Sequence, residues 1–255
     1  VTDARYKTDM VEVVELSSYL TPDDGVTVDI SPGALGNDTL GTNDGHGRAL
    51  NPYTNQPYAP NVVKRGDYGR VIAEFWADGP KSETPPGHWN VLANYTSDQL
   101  SPNLKFRGQG PNLDRLEWDV KMYLTLNGAE HDSAVVCWGL KYHYDSVRPI
   151  SGIRYMCSKG QSSDPQGPSY DPDGIPLTPG LVEVITVNSS LAGQRHENIL
   201  GVNDVGALAQ VPGAAHVGEI AVYAWLEYPT DPVNQYTGVG WVLGTSWVPY
   251  QRPTF

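Results

Sequence analysis

The sequence predicts a mainly α-helical protein with long, irregular loops. Glycine and proline contribute 27 and 21 of the 255 residues, about 19% against roughly 12% in an average protein. Apolar residues recur at helical spacing in residues 67–76 and 113–142. The glycine and proline excess excludes a plain coiled coil or helical bundle, and it falls short of a collagen-like or low-complexity chain.

The charge balance limits the classes of molecule that the protein can bind. The chain has 17 Lys and Arg against 29 Asp and Glu, a formal net charge of −12. A chain this acidic repels phosphate backbones and anionic lipids unless its few cations are clustered. No apolar run approaches the roughly 20 residues that cross a bilayer. We therefore expect neither a nucleic-acid nor a membrane partner.

We expect one domain over residues 1–255, incomplete at both ends. The chain starts at Val1 without a leader, and it stops at Phe255 directly after an aromatic-rich stretch that is typical of a core. It divides into a loop-rich lead (1–66), a helical core (67–156), a loop insertion (157–180) and a mixed helix and loop region (181–255).

The first half of the chain contains the helical patterns. Residues 1–66 hold one apolar-alternating stretch, from Val11 to Leu16, followed by a series of turn dipeptides. Apolar spacing predicts a helix over 67–76 that ends at Asp78-Gly79-Pro80, and a second short helix begins near His88 after a rigid Pro-Pro turn.

The clearest apolar stripe runs through Leu113, Leu116, Val120 and Leu124, at steps of three or four residues. We expect Asn127-Gly128 to interrupt this helix and a helical face to resume from 134 to Pro149. Five prolines punctuate 157–180, which predicts a loop, and residues 181–255 are interpreted as short helices and loops with a possible strand near 182–187.

Two cysteines, Cys137 and Cys157, are too few for a disulfide framework or a zinc site of their own. They form either one disulfide or two free thiols. Asn37, Asn94 and Asn188 begin N-x-S/T sequons. The sequons favour a secreted or extracytoplasmic location.

Lys141 and Arg148 are the candidate site residues. Seven residues advance an α-helix by nearly two full turns, so the two side chains share a face if the helix reaches Arg148. An ammonium and a guanidinium that meet at one point can bind phosphate or a similar oxyanion. Pro149 disfavours a helical conformation at Arg148 and would push it into the connecting turn. The alternative is ordinary ion pairing of both cations with Asp145.

The pattern of Lys, six residues and then Arg-Pro resembles the first motif of the vanadium-dependent haloperoxidases and type 2 phosphatidic acid phosphatases. The surrounding segments strengthen the resemblance across most of residues 60–156 and more loosely over 241–255. These segments are Glu-Phe-Trp-Ala-Asp-Gly-Pro at 74–80, Thr-Pro-Pro-Gly-His-Trp-Asn at 84–90, and the stretch from Cys137 to Arg154.

The resemblance implies an all-α, haloperoxidase-like helical bundle that binds vanadate, or phosphate in its place, among cationic side chains. Lys141 and Arg148 match the family residues that bind the oxyanion, with both catalytic and cofactor-binding roles. The family's Pro-Ser-Gly-His motif and its Ser-Arg motif with a later His are absent from the sequence. We therefore expect the chain to be inactive alone and to bind vanadate only when missing sequence completes the site.

Three functions remain open. The first is the oxyanion-binding half of an oxidoreductase that uses hydrogen peroxide and halide, and the second is an acid phosphatase acting on small phosphoesters. The third is a non-catalytic secreted structural or assembly protein. A second polypeptide fragment or further copies of the chain are the possible macromolecular partners.

Other candidates are weaker, and we predict no metal site built from protein side chains. His131 and Asp132 are adjacent on a helix, so their side chains diverge, and His143 lies far around the helix from Lys141. Residues 170–174 resemble part of a calcium loop but lack its closing Glu, which favours a turn. His196-Glu197 lacks the second His of a zincin helix.

Overall fold

The fold is an α/β arrangement, so the prediction of a mainly α-helical bundle is wrong. The computed structural model describes residues 4–34, 47–51, 54–76, 83–226 and 238–250. Of these, 43% are helical and 16% lie in strands. The strands form one sheet of two strands and one of five.

The helices occupy mainly the first two thirds of the chain and the strands mainly the last third. The helices are α1 (Ala4–Ser18), α2 (Arg65–Phe75), α3 (Pro85–Leu100), α4 (Arg115–Tyr144) and α5 (Pro149–Lys159). The strands are β1 (Thr27–Asp29), β2 (Val62–Lys64), β3 (Val182–Val184), β4 (Asn198–Val202), β5 (Leu208–Pro212), β6 (Ile220–Trp225) and β7 (Val239–Leu243).

The chain divides into two compact units. Residues 1–74 and 148–255 form the first, which we call the sheet unit, and residues 75–147 form the second, the helical unit. Lys141 belongs to the helical unit, and Arg148 opens the second segment of the sheet unit.

The five-stranded sheet has the order β3-β6-β7-β4-β5. All neighbouring pairs are antiparallel except β4 and β7, which run parallel. In the separate small sheet, β1 pairs antiparallel with β2, and Val28 lies opposite Val63. The sheet unit therefore joins strands that are far apart in sequence.

The main core of the sheet unit lies where α1 and α5 pack on one face of the five-stranded sheet. Val14, Ile153 and Met156 are fully buried there. A smaller cluster of Ile185, Ile199, Ala221 and Leu243 covers the opposite face. Burial on both sides explains why β6 is a nearly continuous apolar run.

The helical unit is built on α3 and α4. The Thr84 hydroxyl caps α3 by accepting a hydrogen bond from the Gly87 N–H at 3.3 Å, and the Asp114 carboxylate caps α4 through the Glu117 N–H at 2.9 Å. Between the helices, the indole N–H of Trp118 donates to the Ser97 hydroxyl at 3.0 Å. No side chain of α4 is buried.

Several local expectations need correction. The stretch from Val11 to Leu16 lies within α1, because Met10 and Val14, one turn apart, bury one helix face. Asn127-Gly128 does not interrupt α4, which continues through both residues. Within 181–226 and 238–250 the chain forms five strands and two short 3₁₀ turns, where mainly short helices and loops were expected. Only the strand near 182–187 was predicted, and the structure places it at β3.

The loop expected at 157–180 starts after α5 ends at Lys159. The buried side chain of Gln161 organises this loop: its Nε2 donates to the carbonyls of Asp164 at 2.7 Å and Pro168 at 3.2 Å. Its Oε1 accepts the Ser163 N–H at 2.7 Å. The loop is thus a folded part of the sheet unit.

Some expectations fall on residues outside the described ranges. They are the helix stop at Asp78-Gly79-Pro80, the sequon at Asn37 and the last five residues of the chain. Across the described ranges, no helix has both the length and the apolar character needed to cross a membrane.

Candidate functional site

Lys141 lies in the last turn of α4 with its side chain exposed. Its Nζ lies 5.9 Å from the ring centroid of Trp138, one turn earlier, within the range of a cation–π contact. Among the described residues it makes no ion pair, so its charge is available to an anion.

Helix α4 stops three residues after Lys141. Asp145 takes the left-handed conformation, with φ 43° and ψ 41°, and its N–H donates to the Lys141 carbonyl at 3.0 Å. A left-handed residue at this position ends a helix. The condition for a shared helix face, a helix reaching Arg148, is therefore not met.

Arg148 is the N-cap of α5. Its backbone is extended, with φ −65° and ψ 152°, and Pro149 occupies the first turn. This is the effect that Pro149 was expected to have on the preceding residue. The Arg148 carbonyl accepts the N–H groups of Ser151 at 3.0 Å and Gly152 at 3.1 Å, while its side chain is exposed.

The alternative in which Asp145 neutralises both cations is not seen. Within the described part of the chain, neither Lys141 nor Arg148 forms an ion pair with Asp145. Neither cation therefore pairs with a carboxylate of the described residues, and the two belong to different units. Their convergence on one anion remains a prediction.

Three hydrogen bonds join the segments that carry the resemblance within the sheet unit. The Arg154 Nε donates to the Trp247 carbonyl at 2.8 Å, and its Nη2 donates to the Ser246 carbonyl at 3.3 Å. The Tyr250 hydroxyl donates to the Glu74 carboxylate. The stretch near 250 is therefore attached to both α5 and α2.

In the helical unit, the segments beginning at 74 and 84 meet through aromatic rings. The His88 ring lies 4.6 Å from Phe75 and 4.8 Å from Trp76, measured between centroids, and Trp76 lies 4.7 Å from Trp89. His88 is thus part of an aromatic cluster at the first turn of α3.

The weaker candidates form no enclosed site. The His131 Nδ1 lies 3.2 Å from an Asp132 carboxylate oxygen, so the expectation that these side chains diverge is wrong, and both side chains are highly exposed. The His143 ring packs edge-on against Tyr144. Asp171 caps a turn by accepting the Asp173 N–H at 2.8 Å. No cluster of three or more potential metal ligands occurs among the residues described.

A polar group in the sheet unit, centred on His196, was not predicted from the sequence. This side chain is fully buried, its Nδ1 lies 2.9 Å from the Ser189 hydroxyl, and its Nε2 lies 3.6 Å from the Glu183 carboxylate. Burial lowers the pKa of His196; the Glu183 carboxylate opposes this shift and Arg195 adds to it.

A cavity of about 370 Å³ lies beside this group, lined by Glu183 and Arg195 together with Leu177, Pro179 and Val184. Glu183 is already engaged there, since it accepts the Gly180 N–H at 2.7 Å and the Arg195 Nε at 2.8 Å. The group is formed by Glu183 of β3 and by residues of the loop that connects β3 to β4. The only sequence signal was an unassigned histidine, His196, in a polar segment.

Comparison with protein-family models relates part of this chain to a known family. Residues 121–176 match the family model of the VCPO second helical-bundle domain. The chain has no significant match among curated proteins or among solved structures. The matched segment contains both Lys141 and Arg148, and it supports a relationship of this chain to the vanadium haloperoxidases.

Proposed function

We propose that this chain is the vanadate-binding part of a haloperoxidase-like oxidoreductase that uses hydrogen peroxide and halide. The observation that carries the proposal is the family match over 121–176, which includes the two expected oxyanion-binding residues, Lys141 and Arg148. When bound, vanadate supplies the oxidation of halide by hydrogen peroxide.

Lys141 and Arg148 supply part of what a vanadate-binding site needs. Both side chains are exposed, and neither forms an ion pair with a carboxylate of the described residues. An oxyanion can therefore bind to them without first breaking an ion pair. The Arg148 guanidinium can donate two parallel hydrogen bonds to anionic oxygens. Lys141 contributes a compact charge with three donors.

The remaining residues of the vanadate site come from outside these 255 residues. The sequence contains neither the Ser-Gly-His motif nor the second Arg with its later His. Without the histidine, Lys141 and Arg148 hold an anion by charge and hydrogen bonds alone. We therefore expect weak anion binding and no turnover until a second polypeptide supplies the missing residues.

Vanadium-51 NMR titration of orthovanadate with the purified chain tests the anion binding. We expect broadening of the vanadate resonance that is reduced in both Lys141→Ala and Arg148→Ala. Two matched control variants, Lys121→Ala and Arg5→Ala, should broaden the vanadate resonance as much as the parent chain does. In the parent, Lys121 lies on the same helix and pairs with Glu117, and Arg5 pairs with Asp9. Broadening that is absent in the parent chain, or equal in all five proteins, would contradict the proposal.

A second measurement separates the oxidoreductase from a phosphatase. The full natural protein, purified with any co-purifying fragment that contains Ser-Gly-His, is assayed for bromide-dependent oxidation of a phenol dye with added vanadate. It is also assayed for hydrolysis of a phosphomonoester without vanadate. Bromide oxidation lost in Arg148→Ala supports the proposal, whereas phosphoester hydrolysis alone assigns the same residues to a hydrolase.

A further inference from the structure

A line of exposed apolar side chains follows α4 in the helical unit. We call it the α4 stripe. Its six members are between 58% and 90% exposed: Leu116, Val120, Leu124, Val135, Trp138 and Tyr142. At 100° per residue they fall within an arc of about 100°, and they extend over about 39 Å of helix.

An extended exposed apolar surface on a folded chain commonly marks an interaction site. Long helices in globular proteins normally bury one apolar face, yet no residue of α4 is buried. The packing of α3 against α4 uses a different side of the helix, through Trp118, Met122 and Tyr123. The α4 stripe therefore needs another partner.

The α4 stripe has nearly the same order of apolar and polar positions in both directions along the helix. A polar pair, Asn127 and His131, occupies the middle of the same face. When the helix is reversed about Ala129, each apolar position meets an apolar position within one residue of register, and the polar positions meet each other. The resulting pairs are Leu116 with Tyr142, Val120 with Trp138, Leu124 with Val135, and Asn127 with His131.

We propose that two copies of this chain pair antiparallel through the α4 stripe, about a two-fold axis near Ala129. A two-fold interface requires a surface that is complementary to itself, and the reversed match of the stripe satisfies this condition. The central polar pair specifies the register, since a slip of one turn would place Asn127 or His131 against apolar side chains. The 39 Å length can supply the roughly 800 Å² per partner of a specific interface.

Sedimentation equilibrium of the purified chain tests the pairing. We expect a dimer of the 27.8 kDa chain that dissociates on dilution. In Leu124→Glu the dissociation constant should rise at least about tenfold, because a charge replaces a side chain buried only in the dimer. Leu124 is 75% exposed in the single chain, so its circular dichroism should not change.

Leu140→Glu is the matched control. Leu140 lies on the same helix and is 52% exposed, but it faces nearly opposite to the α4 stripe. We expect its dimer to persist. A parent chain that stays monomeric at high concentration, or equal dissociation constants for both variants, would overturn the proposal and leave the stripe to a different polypeptide.

Cross-linking tests the position of the axis. A Cβ at Gly128 would meet nothing within 4 Å, so Gly128→Cys is compatible with the fold, and Cys137→Ser removes the other exposed thiol. A short bis-maleimide should then link two chains. Thr125→Cys in the same background lies off the face and should link poorly. Equal yields from the two positions would contradict the antiparallel register.

Discussion

The Arg154 Nε donates to the backbone carbonyl of Trp247 at 2.8 Å, across 93 residues of sequence. Trp247 is buried in the main core of the sheet unit. One guanidinium therefore attaches α5 to the short turn that follows β7. The contact also joins two segments that carry the family resemblance.

We expect Arg154→Met to lower the free energy of unfolding by about 1.5–3 kcal/mol, because carbonyls of Ser246 and Trp247 lose a charged donor. Urea titration followed by tryptophan fluorescence measures this change. Arg154→Lys is the control for charge, since lysine retains the cation but not the planar fork. If the two variants and the parent have the same midpoint, these hydrogen bonds contribute nothing to stability.

Stability should depend on pH through His196. Burial holds the pKa of this side chain below its usual value of 6.5. The unfolded chain therefore takes up the proton first as the pH falls, and the stabilisation present above pH 6.5 is lost progressively below that value. Urea midpoints between pH 5 and pH 8 should fall less steeply in His196→Gln than in the parent, while parallel curves would exclude His196 as the cause.

The two cysteines should differ in reactivity, with no disulfide between them. Cys137 is exposed and Cys157 is buried, and both are free thiols. Burial raises the pKa of Cys157 to about 12, so it carries almost no reactive thiolate near neutral pH. Intact mass after maleimide treatment should show one adduct on the native chain and two in guanidinium. Two adducts on the native chain would mean that Cys157 is accessible.

Gly128→Ala should stabilise the protein by about 0.5–1 kcal/mol, because glycine in a helix interior adds backbone entropy to the unfolded chain. The site has room, with nothing within 4 Å of an added Cβ. Gly213→Ala is the opposite case, since its Cβ would lie 1.6 Å from the His196 carbonyl oxygen. Thermal unfolding followed by circular dichroism should order the three proteins as Gly128→Ala, parent, Gly213→Ala. Any other order contradicts this account.

The sequence predicted the helices better than the sheet. Spacing of apolar residues located α2 and both halves of α4, because each pattern repeats within a few residues of itself. The five-stranded sheet depends on pairings such as Val182 with Val222 and Leu200 with Val242. Strands of three to six residues are too short for their period to distinguish them from helix.

The candidate site was predictable only in its local parts. Pro149 correctly placed Arg148 outside the helix, since the rule concerns adjacent residues. The left-handed Asp145 that ends α4 was not expected, because asparagine and glycine are more usual there. The contact of His196 with Glu183 follows from tertiary packing, which no local spacing encodes.

Strand β6 belongs to both faces of its sheet at once. Ile220 and Val222 point into the main core and Ala221 into the smaller cluster, while β3 and β7 bond to its two edges. Because β6 contributes side chains to both faces, the packing on one face cannot be lost while the other stays intact. The sheet unit should therefore unfold as a single cooperative unit. The backbone amides of β6 should be the last of this unit to exchange their hydrogens with deuterated solvent.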